Sequence, residues 1–316
     1  MIIGCCVVSG LVGATVVQDK APKKVKRVKK PVFTERDSDG IFFNNLFEEG
    51  LVGKRPSADS LKKKPSSVAG VPAVAGNRET ASAGGAFAWS KFIERDVIED
   101  EVKSLEQRLQ KIVTTPGRFK SEYGTARQTY STLSMLFAII SEYDSDVRWK
   151  KDSRVAQLAF SRAAAVSRTG TQQAYQNAKI CKEDLTELIR GGNFSGKAPT
   201  SPAVDWSQVV DRGTLMELLE DSFAETLKPG TGSKTEMNKQ ASAILHQANL
   251  VAAIGQALTK DGMDEAEEED YSKYAVEMSK AAMELSAAVK VKDYDTAAAA
   301  VNTINQSCSN CHDEWR

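Results

Sequence analysis

The chain has few of the residues that usually carry chemistry, with only two histidines and five cysteines among its 316 residues. Its 42 basic and 42 acidic residues leave no formal net charge, which gives no reason to expect a nucleic-acid partner. The sequence also has no P-loop, no glycine-rich dinucleotide turn and no hydrolase or transferase nucleophile motif. We therefore do not expect an enzyme.

Three of these scarce residues stand together at residues 308–312. Two residues separate Cys308 from Cys311, and His312 follows directly, which is the attachment signature of c-type haem. Two thiols on one helical turn can each form a thioether with a haem vinyl group, and the adjacent imidazole can then bind the iron. A structural zinc site would need about four ligands, and the rest of the chain offers few. The sequence thus predicts one covalent haem c per chain, with His312 as the proximal iron ligand.

The motif lies on a predicted helix and is followed by Trp315 and Arg316. This ending resembles the class II c-type cytochromes, the cytochrome c′ family, which end in Cys-x-x-Cys-His-x-x-aromatic-Arg. The resemblance implies a haem protein built as a four-helix bundle. It also makes Arg316 a candidate haem contact.

The same resemblance suggests what lies on the other face of the haem. In this family the first helix supplies a Met or Leu, four positions after an Arg that lies near the haem edge. Arg212 and Met216 match these two positions, and both lie on one helix face. Met216 is therefore a candidate distal iron ligand and Arg212 a candidate haem contact. The Gln that normally follows the family's Arg is replaced here by Gly213.

Residues 206–316 carry four apolar stripes with the period of an α-helix, and the third begins at Ala275. Turn-forming residues separate the stripes, among them Lys228-Pro229-Gly230-Thr231-Gly232. The interpretation of this region as a haem-binding four-helix bundle is therefore supported by its pattern as well as by the resemblance. The acidic run 264–270 before the third stripe is interpreted as a solvated loop whose charge favours a helix start, with a docking patch for a basic redox partner as the alternative. His246 lies off the stripe of its predicted helix, so we expect it at the surface or at an interface, with distal ligation a less favoured alternative.

A second copy of this pattern precedes the first. Trp89 and Ser90 begin a segment that matches the one beginning at Trp206, and Cys181 falls near the position of Cys308 when the last helices are superposed. Glu99 stands at the position of Met216, where a carboxylate suits a haem-free bundle. We predict a haem-free bundle at 88–192 and a linker at 193–205; an unrelated helical domain is the alternative. The predicted fold class is all-α, with two tandem four-helix bundles.

The residues before the bundles differ in composition. The apolar segment 1–19 is interpreted as a signal peptide or N-terminal anchor, and 20–87 as a largely disordered basic tail rich in Pro, Ser and Ala. A short amphipathic segment at 41–50 interrupts this tail. Because c-type haem is attached outside the bacterial cytoplasm in this family, we expect a periplasmic protein or one anchored facing the periplasm.

These expectations favour one-electron transfer through the haem as the function. Five-coordinate binding of nitric oxide or carbon monoxide is the first alternative, and a partner-binding scaffold is the second. The redox partner is not indicated by the sequence. A dimer and a membrane tether through the N-terminus remain open.

Overall fold

The computed structural model describes residues 87–197, 199, 201 and 203–315. All regular secondary structure within these residues is helical, which confirms the predicted all-α class. The predicted signal or anchor segment, and the predicted tail up to residue 86, lie outside the described residues. Within the described part, no helix is both long enough and apolar enough to cross a membrane.

The first group of helices follows a short 3-10 turn at Trp89–Lys91. Its members are α1 (Arg95–Ile112), α2 (Pro116–Glu142), α3 (Ser153–Val166) and α4 (Gln172–Ile189). Two threonines begin the second and fourth of these helices by accepting a hydrogen bond from a backbone amide three residues on, Thr115 from Arg118 and Thr171 from Ala174. Together α1 to α4 form the first predicted four-helix group.

The second group follows another 3-10 turn at Trp206–Gln208. Its helices are α5 (Arg212–Asp221), which continues through a π-helical turn at Ser222–Leu227 and a last turn at Lys228–Gly230, then α6 (Lys234–Lys239), α7 (Ala241–Ala257), α8 (Glu269–Val291) and α9 (Tyr294–Trp315). Lys292 adopts a left-handed conformation with φ 60°, which ends α8. The Asp293 carboxylate then accepts hydrogen bonds from the amide and hydroxyl of Thr296 and begins α9.

The long helices α2 and α7 lie at the centre of the molecule. Every residue from 129 to 140 in α2 and from 248 to 257 in α7 is buried, so neither helix has a solvent-facing side along these stretches. A helix that is buried on all faces must be covered by neighbours on every side. Each central helix is covered partly by its own group and partly by the other one.

The coverage of the central helices is reciprocal. The amide of Glu94, which begins α1, donates a hydrogen bond of 2.9 Å to Oδ1 of Asn249 in α7. In the other direction, Ser134 in α2 donates a hydrogen bond of 2.7 Å to the carbonyl of Val209, just before α5. Contacts group the described residues into one compact unit. Separate folding of the two predicted bundles therefore remains a prediction.

The segment predicted as a linker lies against the first group of helices. The ring of Phe194 is buried and meets Phe160 edge-on, with 5.3 Å between the ring centroids. Further along, the carbonyl of Ala203 accepts a hydrogen bond of 2.7 Å from Arg154. Where it is described, this segment is thus packed against α3.

Candidate haem site

The motif residues lie in the last two turns of α9, which faces α8 along its length. Because Cys308 and Cys311 are three residues apart, they share one face of the helix, and His312 is four residues beyond Cys308 on the same side. Both thiols are half-buried, whereas the imidazole is exposed. The helix therefore presents two thiols and an imidazole together.

These residues form one wall of a pocket between α5, α8 and α9. The pocket is lined by Met216 and Leu219 of α5, Leu258 after α7, Tyr271, Tyr274, Ala275 and Met278 of α8, and Ser307, Cys308, Cys311 and His312 of α9. Most of these side chains are apolar or aromatic. The predicted distal residue Met216 thus lies in the same pocket as the predicted attachment residues.

Both thiols of the pocket are kept in their protonated form. Burial raises the pKa of Cys308, and burial followed by the neighbouring Cys308 raises the pKa of Cys311 to about 11. Neither thiol is bonded to another cysteine of the described residues. The Cys308 sulfur lies 3.9 Å from the sulfur of Met278, so the attachment side of the pocket is rich in polarisable atoms.

Arg212 lies at the edge of the pocket, at the start of α5. Its guanidinium carbon is 5.9 Å from the centre of the Tyr271 ring, and Nη1 is 3.9 Å from the Glu265 carboxylate. The ring of Tyr271 in turn meets Trp315 edge-on, with 6.1 Å between the centroids. The pocket edge thus combines a cation, a phenol and an indole.

The residues of this pocket match the chemistry of a c-type haem. Two thiols stand one turn apart and an imidazole follows them, while the facing walls are apolar. Buried polar atoms at the edge, among them Arg212 Nη1 and Trp315 Nε1, have no hydrogen-bond partner within the described part of the chain. A haem has an apolar ring and two carboxylates, so its ring would suit the apolar walls and its carboxylates would supply acceptors to these donors.

Residues 207–316 match the family model for Cytochrome C′. The match supports a cytochrome c′ domain in this part of the chain, and such a domain implies a covalently bound c-type haem. No curated protein and no solved structure matches the chain. The family match begins just after Trp206 and covers α5 to α9, which are the helices that build the pocket.

The structure places most of the predicted site residues in one pocket of the region that matches the family model. Met216, Cys308, Cys311 and His312 line it, and Arg212 lies at its edge. Arg316 lies outside the described residues. Their roles toward a haem stay predictions. No group of three or more His, Cys, Asp or Glu in the described part of the chain is arranged to hold a metal ion directly.

The other histidine and the remaining described cysteine lie elsewhere. His246 in α7 lies 2.7 Å from the carboxylate of Glu101 in α1 and does not line the pocket, in agreement with the interface position expected for it. Cys181 in α4 is half-buried beside the carbonyl of Ala159, at 3.7 Å, and burial raises its pKa to about 12. Cys181 therefore packs as a small apolar side chain.

The sequence prediction missed Tyr271 as a pocket residue. The stripe predicted for α8 began at Ala275, although Tyr271 stands one turn earlier on the same face. Because the acidic run just before Tyr271 was interpreted as a surface loop, the helix was expected to begin after Tyr271. Tyr271 lies four residues before Ala275, so extending the apolar stripe by one helical turn would have included it.

Proposed function

We propose that this chain is a class II c-type cytochrome that transfers single electrons through one haem held by Cys308 and Cys311, and that it is an electron carrier rather than an enzyme. The observation that carries the proposal is the position of Met216, which faces the predicted attachment residues within one apolar pocket. When bound, the haem would supply an iron that cycles between its ferrous and ferric states. The protein would supply the attachment, the axial ligands and the surroundings.

Each wall of the pocket has a separate part in this proposal. Cys308 and Cys311 would hold the haem through thioethers, and His312 of α9 would supply an imidazole to the iron. On the opposite side, α5 holds Met216 toward the pocket, where its sulfur is the candidate second ligand. Leu219 and Leu258 exclude water from this side, and low exposure of the haem is one of the factors that set a redox potential.

Binding of nitric oxide or carbon monoxide is the alternative function, since members of the cytochrome c′ family bind gases. Met216 decides between electron transfer and gas binding. If the sulfur of Met216 stays off the iron, the sixth position is free and Met216 only limits the size of what enters. If the sulfur binds the iron, a gas must displace it.

We further propose that 88–192 is a haem-free copy of the same bundle. The support comes from the residue at the position of Met216 and from the side chains inside the first bundle. Glu99, at the position of Met216, is 16% exposed and pairs at 4.0 Å with Arg95, one turn earlier in α1. Phe160 packs against Phe137 and Tyr130, with 5.2 and 6.2 Å between ring centroids. Aromatic side chains thus fill the interior of this bundle.

Export to the periplasm, or anchoring at its surface, is also part of the proposal. It rests on the apolar segment 1–19 and on the compartment in which c-type haem is attached in this family. Cell fractionation of a host that assembles c-type cytochromes would test it. Haem-loaded protein in the cytoplasmic fraction would contradict it.

Two measurements on the purified protein test the proposed function. The intact mass should exceed that of the polypeptide by one haem, with two thioethers per haem. Optical spectra of the oxidised and reduced protein, with and without carbon monoxide, should show low-spin iron that takes up carbon monoxide poorly. A mass without haem would overturn the haem proposal, whereas high-spin iron that binds the gas readily would favour the alternative.

A further inference from the structure

Several hydrogen-bonding groups at the candidate haem pocket are buried without a partner. Among the residues that the structure describes, nothing forms a hydrogen bond with the hydroxyls of Tyr271 and Ser307, Nη1 of Arg212 or the indole nitrogen of Trp315. Buried polar groups are almost always paired, because a group that leaves water without finding a new partner is costly. Four of the eight such atoms in the described residues lie at this one pocket, where a bound molecule would supply the missing acceptors.

Tyr271 is the most constrained member of this cluster. It is only 2% exposed, it lies in the first turn of α8, and its side chain lines the pocket. Burial raises the pKa of Tyr271 to about 12, and the nearby Arg212 charge opposes this only in part. At neutral pH the phenol therefore keeps its proton, so it can donate a hydrogen bond.

The neighbour of Tyr271 indicates which kind of acceptor fits. The Arg212 guanidinium lies 5.9 Å from the centre of the phenol ring. The carboxylate of Glu265 lies 3.9 Å from the guanidinium, which is too far for a hydrogen bond. A protonated donor beside a cation suits a carboxylate better than a neutral diatomic molecule. A haem carries two such carboxylates, its propionates, at one edge of the ring.

The buried tyrosines of the first bundle behave differently. Tyr130 donates to the carbonyl of Ala178, and Tyr143 donates to the carbonyl of Ile93 at 2.8 Å. In the bundle for which we propose no haem, these hydroxyls are thus satisfied by the protein itself. The unpaired hydroxyl of Tyr271 is therefore a feature of the haem domain's pocket and not of buried tyrosines in this chain generally.

We propose that Tyr271 is a positioning residue that donates a hydrogen bond to a propionate carboxylate of the haem, with Arg212 supplying the matching positive charge. This inference rests on the proposed haem function. It adds a second contact at the haem edge, contributed by α8, to the one that the family resemblance assigns to α5. The two contacts together would fix the rotation of the haem edge between α5 and α8.

The test compares Tyr271→Phe with Tyr130→Phe in two forms of the full chain. One form is made in a host that assembles c-type cytochromes, and the other in a host that does not, so that it carries no haem. Because the Tyr271 hydroxyl has no acceptor without haem, its removal should leave the urea midpoint of the haem-free form unchanged or raise it, and should lower that of the haem-loaded form. Tyr130→Phe should lower both midpoints.

Two vibrational measurements identify the acceptor. The propionate bending band in the resonance Raman spectrum should shift in Tyr271→Phe, whereas the stretching frequency of iron-bound carbon monoxide should stay unchanged. A shift of the carbon monoxide frequency with an unmoved propionate band would place the hydroxyl at the iron and overturn the inference. Equal destabilisation of both forms, as for Tyr130→Phe, would overturn it as well. A wild-type protein that takes up no haem would instead contradict the proposed function itself.

Discussion

The indole rings of Trp89 and Trp206 lie 5.7 Å apart between centroids, inclined by 33°. These are the tryptophans of the two matching sequence segments, and each precedes the first long helix of its group. The ammonium of Lys260 lies 4.7 Å from the first ring and 6.0 Å from the second, so a cation joins the pair. The two segments that resemble each other in sequence therefore meet in space.

Contacts between the two groups of helices around this pair involve both central helices. The amide of Glu94, at the start of α1, donates to Asn249 of α7, and Ser134 of α2 donates to the carbonyl of Val209, three residues before α5. Each central helix is thus hydrogen-bonded to the start of the other group.

The first prediction concerns Asn249 at this junction. Its Oδ1 accepts the Glu94 amide at 2.9 Å, its Nδ2 donates to the Leu245 carbonyl at 2.8 Å, and the side chain is 6% exposed. Asn249→Leu leaves the Glu94 amide without its acceptor, which should cost about 1–3 kcal/mol of unfolding free energy. Urea unfolding of the full chain measures this.

The control Asn302→Leu, at an exposed position of α9, should change the midpoint little. Equal midpoints for the two variants would contradict the importance of this bond.

Much of the helical structure of residues 206–315 could be predicted from the sequence, because the features that mark it depend on nearby residues. The spacing of Cys308, Cys311 and His312 is fixed by one helical turn, and an apolar period marks each long helix. Lys292 ends α8, and Asp293 begins α9 by accepting a bond from Thr296, three residues on. Such features depend only on nearby residues.

Features that depend on distant residues were harder to predict. Ser131, Thr132 and Ser134 make α2 look polar on one side, yet all three are buried. Thr132 satisfies its hydroxyl at the carbonyl of Gln128 within the helix, whereas Ser134 bonds to Val209 of the other group. The second of these partners is 75 residues away, and no local pattern indicates it.

One predicted break between helices falls in the second half of its segment. The break expected over Lys228-Pro229-Gly230-Thr231-Gly232 begins only at Thr231, because the chain remains helical through Gly230. Pro229 stands in the last turn of this helix, just after the π-helical turn Ser222–Leu227. The helix thus continues one residue past the proline and ends within the predicted segment.

The second prediction concerns haem attachment. Replacing both Cys308 and Cys311 by Ala should abolish covalent haem, because no thiol then remains in the pocket. Replacing Cys181 by Ala should leave one haem per chain, since Cys181 packs against α3 away from the pocket. Intact mass measures both results. Two haems in the wild type, or loss of haem in Cys181→Ala, would contradict the proposal that 88–192 is haem-free.

The third prediction concerns acid stability at the start of α5. The Asp211 carboxylate accepts hydrogen bonds from the amide and hydroxyl of Thr214, both at 3.0 Å, and pairs with Arg127 of α2 at 2.8 Å. Burial alone would raise the pKa of Asp211, but the bonds from Thr214 and Arg127 outweigh it and lower the pKa below 3.8. The stabilisation is therefore complete above the unfolded-state pKa and disappears as the pH falls through the lower, folded-state pKa.

Asp211→Ala should accordingly cost about 1 kcal/mol at pH 7, a typical value for a lost helix cap. The difference from the wild type should shrink as the pH falls below about 4, because the wild type then loses the same carboxylate charge. Urea unfolding at a series of pH values measures this. Glu217→Ala removes an exposed carboxylate from the same helix and should leave the acid profile unchanged. A constant difference between Asp211→Ala and wild type down to pH 2 would show that the charge of Asp211 is not what stabilises the junction.

The last prediction concerns Met216, on which the choice between electron transfer and gas binding depends. We expect its sulfur to bind the iron, because it lies four residues beyond Arg212 and lines the pocket opposite the attachment residues. The oxidised protein should then show low-spin bands and a weak near-infrared charge-transfer band from sulfur to iron. Met216→Ala should convert the iron to high spin and raise the affinity for carbon monoxide.

Met278→Leu is the matched control and should keep the low-spin spectrum. Met278 lines the same pocket, but its sulfur lies 3.9 Å from that of Cys308, on the attachment side. A high-spin wild type that binds nitric oxide readily, with no change of spin in Met216→Ala, would make Met216 a steric guard and favour gas binding.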